Sequence, residues 1–373
     1  MSEINGCEED WDLLLSFFPK DWEKLAHSTN AMKGLRQDKS AADCLRVLLL
    51  HVGCGLSLRE TVVRARVANL ADLSDVALLK RLRKSQDWLC QLCQALFAER
   101  GVLVGAAGGR SFRLLDATEV SEPGKTGSLW RIHYSLRWPE LQCDYFKLTA
   151  SHGNGNGECL QQFPLNVGDY ALADRGYSHA SGIHSAVRQK AFITVRLNPD
   201  GIRLQTEAGD AFPLIERLAP IQTTGQIANW NILIPFETEA PVAARLCVIR
   251  KTKASISLAL KKLRARASRR GMKLRPETLV YAEYVMVLTT FPEAEFPVAR
   301  VLESYRLRWQ VELVFKRLKQ IAQLGHLPQY DPVSAKAWLY GKLFVALITE
   351  KLIQEARAFS PWGFTFQTAG EPQ

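Results

Sequence analysis

Apolar positions recur three and four residues apart through most of residues 1 to 100. In "ADCLRVLLLHV", "LSLRETVVRARV" and "DVALLKRLRKSQDWLCQLCQALF" that spacing predicts amphipathic helices. Gly53 and Gly55 separate the first two. Ser57 with Glu60 has the spacing of a capping box, and Ser74 with Asp75 opens the next helix. The first of these helices carries Arg59, Arg64 and Arg66, the second Lys80, Arg81, Arg83 and Lys84. Helix, glycine-containing turn and basic helix is the pattern of a helix-turn-helix, and also of many small helical bundles. From Arg110 the texture changes to strands. "SFRLLDATEV", "LWRIHYSLRW" and "QCDYFKLTA" predict three successive antiparallel strands, with Pro123, Gly124 and Pro139 at the breaks. "DYALADRGYS" reads as a strand closed by Asp174, "HASGIHSAVRQKA" as a helix and "FITVRLN" as a fifth strand. That order predicts an α/β sheet with helices on its faces.

Residues 199 to 290 break the rhythm. "IANWNILIPF", "ARLCVIRK" and "YAEYVMVLTT" are strands without core helices between them, so the segment predicts an inserted β-rich subdomain. Helix returns near Phe296 and continues through "AKAWLYGKLFVALITEKLIQEA". The expected division is a helical, DNA-binding domain over 1–105, the first part of the α/β core over 106–198 and the insertion over 199–290. Completion of the core with a C-terminal helix follows over 291–358, and a short irregular tail over 359–373.

A chain of 373 residues with 47% hydrophobic content can bury more than one core. It holds no apolar run of 18 residues, and "MSEINGCEEDWD" is acidic where a signal peptide needs basic residues, so a cytoplasmic protein without a membrane span is expected. In that compartment the eight scattered cysteines predict no disulfides, and Cys90 with Cys93 lacks a second pair or a nearby His for zinc. The net charge of +10 is concentrated: residues 250 to 275 hold eleven Lys and Arg and no acid, leaving a net −1 elsewhere. A basic patch on a nearly neutral body suits nucleic acid, with Lys261, Lys262, Arg264 and Arg266 facing its phosphates; the alternative is a solvated helix or loop.

Two aspartates mark strand ends, Asp116 in "LLDATE" and Asp174 in "LADRGY", where open sheets bind ligands and where turn-forming aspartates are also common. Residues 305 to 319, "YRLRWQVELVFKRLK", predict one helix. At 100° per residue Tyr305, Arg308, Glu312, Lys316 and Lys319 share an arc of roughly 80°, opposite an apolar face. An ordinary solvated face would look the same.

The spacing Y-x2-R-x3-E-x6-K, filled by Tyr305, Arg308, Glu312 and Lys319, resembles the YREK signature of bacterial insertion-sequence DDE transposases that excise through hairpin ends. The resemblance spans roughly residues 30 to 350 and takes in Asp116, Asp174 with Arg175, and the insert. The chain differs at Gly176 and Tyr177, where some members carry further acids. It runs 61 residues past Glu312, short for the C-terminal dimerisation element such members carry.

The resemblance implies a ribonuclease H-like catalytic core in which Asp116, Asp174 and Glu312 are catalytic and hold Mg2+, with Mn2+ able to substitute. Three ionised carboxylates need such a cation, and hard oxygen donors suit these ions. It implies double-stranded DNA as partner, a homodimer assembled on it, and cleavage and joining of terminal inverted repeats on the bacterial nucleoid. Arg175, Tyr305, Arg308 and Lys319 are the side chains expected to touch DNA. Tyr284, from the last strand of the insert, would stack on a flipped base unless it is packed in the sheet. A transposase-derived DNA-binding protein without catalysis, or a metal-dependent nuclease that cuts without joining, are the competing expectations.

Overall fold

The computed structural model describes residues 5–34, 40–100, 111–121, 128–153, 155–237, 239–320, 324–325, 327–328 and 331–358, and the expected tail lies outside them. The chain divides into two compact units. One comprises Met1–Val104, Glu119–Trp130 and Phe315–Gln373; the other comprises Gly105–Thr118 and Arg131–Val314.

Helices dominate the first unit. Asn5–Ser16, Trp22–Ser28, Ala41–Cys54, Leu58–Val67, Asp75–Lys84 and Gln86–Arg100 are joined by the long Pro332–Ala358 helix, which packs on the third, fifth and sixth of them. The Pro332–Ala358 helix therefore belongs with the N-terminal helices rather than with the α/β core. Its approach needs a glycine: a Cβ on Gly341 would lie 2.8 Å from Val52. Leu45, Leu48, Leu82, Leu89, Leu339 and Phe344 fill the core with at most 1% exposure. The helix starts follow the polar signals. Ser57 Oγ accepts from the Glu60 N–H at 3.1 Å and Ser74 Oγ from the Ala77 N–H at 3.2 Å. The fully reciprocal capping box forms at Ser40 and Asp43 instead of Ser57 and Glu60. Helix Ala41–Cys54 runs through Gly53 and stops at Gly55, whose φ of 67° is the left-handed cap that glycine takes at low cost.

Eight strands form one sheet: β1 (Phe112–Ser121), β2 (Ser128–Trp138), β3 (Gln142–Ala150), β4 (Tyr170–Ala173), β5 (Phe192–Arg196), β6 (Ile227–Phe236), β7 (Glu239–Arg250) and β8 (Tyr284–Thr289). Their order is β3-β2-β1-β4-β5-β8-β7-β6. β1, β4 and β5 run parallel. β4 is buried at every position and β5 at its three central ones, as expected of parallel strands covered on both faces. The segment expected as a separate β-rich insertion instead extends this sheet, because β8 pairs antiparallel with both β5 and β7. Its basic run becomes a helix, Lys253–Arg269, started by Thr252, whose hydroxyl accepts from the Ser255 N–H.

Arg113 fastens the β3-β2-β1-β4 edge. Only 3% exposed on β1, it reaches Ser135 Oγ on β2 at 3.2 Å, Asp144 on β3 at 3.0 Å, and Asp169 just before β4 at 2.9 Å. A buried cation so fully supplied holds register, and its removal takes a cation from Asp169 and leaves Asp144 to Arg137. Arg113→Ala should therefore lower stability by about 3–5 kcal/mol. Urea unfolding followed by circular dichroism would measure this, and a loss below about 1 kcal/mol, the level of an exposed pair, would show that the acids relax into solvent.

Candidate active site

Asp116 and Asp174 meet through strand register. Leu115 on β1 is paired with Ala173 on parallel β4, and the next residue on each strand is an aspartate. Pairing stops there: β4 gives way to the one-turn helix Arg175–Tyr177, whereas β1 runs on to Ser121. Asp116 thus lies within its strand, at the point where the neighbouring strand ends, and does not close it as expected.

The stretch 305–319 is two helices rather than one. Val298–Arg306 ends, and Trp309–Gln320 begins after two intervening residues. Between them the Leu307 N–H donates to Ser304 O at 3.0 Å and the Arg308 N–H to Tyr305 O at 3.2 Å, three-residue bonds that tighten the chain. Tyr305 therefore comes from the end of one helix, Arg308 from the turn, and Glu312 from the first turn of the next.

Tyr305 and Arg308 still reach the aspartates, and Glu312 is joined to them through Arg308. The Arg308 guanidinium, with its side chain 13% exposed, lies 3.6 Å from Asp116 Oδ2 and 3.9 Å from Asp174 Oδ1, and Nη2 donates to Glu312 Oε1. One cation serves three carboxylates. Burial opposes its charge, but Tyr305, Asp174 and Glu312 outweigh that and hold its pKa above the usual guanidinium value. Tyr305 Oη donates to Asp174 Oδ1 at 3.5 Å, a long bond, and burial pushes its phenol well up. Burial also raises Asp116, to about 7. The Ala117 N–H, 2.8 Å from Oδ1, and Arg308 work against that rise, while Asp174 and Glu158 add to it. Glu158 was not among the residues expected here; it follows β3 in a segment with no periodic pattern to single it out.

The other residues expected to touch DNA divide. Arg175, exposed, donates to Asn198 Oδ1 through Nε at 3.1 Å and Nη2 at 2.7 Å, and Arg196, Asp200, Arg266 and Asp174 all act on its charge. Lys261, Lys262, Arg264 and Arg266 are exposed on the Lys253–Arg269 helix. On its covered side Ala259 and Leu263 line a cavity of about 160 Å³ with Arg175, Arg196 and Lys251. Burial and Arg196 bring Lys251 down to about 8.

Tyr284 lines the same cavity but is 4% exposed, and its hydroxyl donates to Ile221 O at 3.0 Å and Leu218 O at 3.2 Å. It is a packed strand residue, so the expectation that a base stacks on it is corrected. Trp309, next to Arg308 in the chain, is 56% exposed and sits inside a motif noted for its charges. Lys319 falls in the first unit, where it lines a cleft of about 790 Å³ with His51, Arg59, Asp75 and Trp338.

Three carboxylates gathered on one cation have the donor chemistry that Mg2+ or Mn2+ requires. As placed, however, no group of three or more His, Cys, Asp or Glu among the described residues is arranged to hold an ion. The reason is local: the guanidinium lies among the oxygens. The residues fit the ion, and the side-chain positions shown fit Arg308.

A model of the transposase DDE domain matches residues 151–348, over half the chain and including Asp174 and Glu312. The transposase for insertion sequence element IS421 of Escherichia coli is 33% identical over 368 residues, 96% of this chain and 98% of that one. InsL of insertion sequence element IS186A, from Escherichia coli K12, is 33% identical over 367 residues with the same coverage of both chains. The transposase for IS231F of Bacillus thuringiensis subsp. israelensis is 23% identical over 66% of this chain and 57% of its own. Among solved structures, the piggyBac transposase synaptic complex with hairpin DNA aligns with 92% of this chain and 72% of that one, at 9% identity and a TM-score of 0.45, too low to carry an inference. The matched domain and the IS421 and IS186A relatives make this chain a member of the DDE transposases of bacterial insertion sequences, DNA-cleaving and strand-transferring enzymes with a ribonuclease H-like core.

Proposed function

We propose that the protein binds the terminal inverted repeats of its element as a homodimer assembled on double-stranded DNA. It cuts them through a hairpin with Mg2+, Mn2+ substituting, and joins the ends to target DNA on the nucleoid in the cytoplasm. The observation that carries this reading is the meeting of Asp116, Asp174 and Glu312 on the Arg308 guanidinium. The three carboxylates would hold the ions, which would supply Lewis-acid activation of the attacking oxygen and charge stabilisation of the leaving one in an in-line phosphoryl displacement. Arg308, released from the acids, is a fork of donors for a phosphate, with Tyr305 beneath it and the Trp309 ring free for an extruded base. Arg175 and Arg266, within electrostatic reach of each other, link the site to the basic helix, a path for the strand beyond the cut. The exposed Arg59, Arg64 and Arg66 of the helix after Gly55 support end recognition by the N-terminal helices.

Asp116→Ala, Asp174→Ala and Glu312→Ala should each abolish cleavage and joining of end-labelled element DNA while binding in a gel shift persists. An inactive DNA-binding descendant would instead leave the unaltered protein unable to cut with Mg2+. In the same gels Tyr305→Phe, Arg308→Ala and Lys319→Ala should spare the first nick and slow the hairpin. Equal loss of all products would assign them to folding.

Neutralising Lys261, Lys262, Arg264 and Arg266 together should reduce the salt slope of DNA binding by roughly 0.9 for each phosphate that the helix no longer neutralises. An unchanged slope would leave the helix face merely solvated.

Arg308 and a divalent ion compete for the same oxygens. Arg308→Gln should therefore bind Mn2+ on the order of tenfold more tightly in calorimetry, even as hairpin formation falls. Equal or weaker affinity would show that the guanidinium does not stand in the ion's place.

A further inference from the structure

Glu158 acts on the charge of Asp116. Its carboxylate rests on the backbone just past Asp174: a Cβ built on Gly176 would lie 1.6 Å from Glu158 Oε2 and 2.8 Å from its Cδ. No residue but glycine admits the acid in that position. The segment carrying Glu158 is tied to the sheet through Arg131 of β2, whose Nη1 donates to Asn156 O at 2.8 Å. A second group points the same way. Tyr177, fully buried, has a hydroxyl without a hydrogen-bond partner among the described residues, and after burial the charges of Asp116, Glu158 and Arg131 bear on it most. A buried hydroxyl left unmatched is costly, so a donor kept near carboxylates suits a ligand that brings oxygen, such as a hydrated cation or a phosphate.

We propose that Glu158 is a fourth ion-holding carboxylate of the active site, admitted by Gly176 and shared with Asp116. Charge favours a cation over a phosphate as the immediate ligand, because Glu158 joins three acids that already share one guanidinium. The inference rests on reading Asp116, Asp174 and Glu312 as the ion-holding group.

The test is Mn2+ titration of the full chain without DNA, by calorimetry and by electron paramagnetic resonance of the free ion. Thermal unfolding confirms that each variant folds. Glu158→Gln should weaken Mn2+ binding by about tenfold or more, the scale seen when a supporting group of a metal site is lost. Gly176→Ala should do the same with every charge retained, because it moves the carboxylate without removing it. If Asp116→Asn loses Mn2+ binding while Glu158→Gln and Gly176→Ala stay within twofold of the parent, the proposal is overturned and the three-carboxylate reading stands. If Asp116→Asn itself binds Mn2+ like the parent, the underlying reading fails and the proposal falls with it.

Discussion

Three carboxylates cannot be held together in a half-buried site without a cation among them, and the architecture around Asp116 answers that constraint. Parallel pairing of β1 with β4 fixes two of the acids side by side, because the register that joins Leu115 to Ala173 leaves the next pair no other place. Glu312 must come from elsewhere in the chain, and it arrives with its counter-ion four residues ahead of it. The tightened turn at Leu307 and Arg308 follows from the same demand: a residue within a regular helix could not so readily face Glu312 on its own helix and two strand ends at once. The guanidinium gives all three acids one shared positive partner.

Much of this was legible in the sequence because it rests on short-range signals. β1, β2, β3 and β6 begin and end within a residue or two of the alternating stretches, since period-two alternation and β-branched residues report directly on which faces are buried. Asp174 could be located from the apolar run that ends before it. The motif spacing carried Tyr305, Arg308 and Glu312, and it did so although the helix drawn through them is broken. Spacing preserved the grouping even where the assumed geometry was wrong.

What was not legible depends on contacts between distant segments. Nothing in "YAEYVMVLTT" distinguishes a tyrosine facing a ligand from one bonded to the carbonyls of Leu218 and Ile221, because both carbonyls lie more than sixty residues earlier. The strands of 199–290 were read as a body of their own for the same reason: only the pairing of β8 with β5 reveals that they lengthen the existing sheet. The Pro332–Ala358 helix was assigned to the α/β core by its place in the chain, whereas the glycine that fits it against Val52 puts it among the N-terminal helices.

Glycine is also where local and distant information meet at the active site. Gly176 looks like a turn residue after Asp174, and its neighbours Arg175 and Tyr177 draw attention by their chemistry. Yet its missing side chain is the space that Glu158 fills, from a segment with no pattern of its own. A residue can thus shape a charged site by what it lacks. Arg175 then gains a second significance: it stands between this concentration of negative charge and the basic helix, and Arg266 on one side and Asp174 on the other pull its charge in opposite senses. Positive charge past Asp174 thus runs from Arg175 by way of Arg266 along Lys253–Arg269, the arrangement that the proposed path for the strand beyond the cut requires.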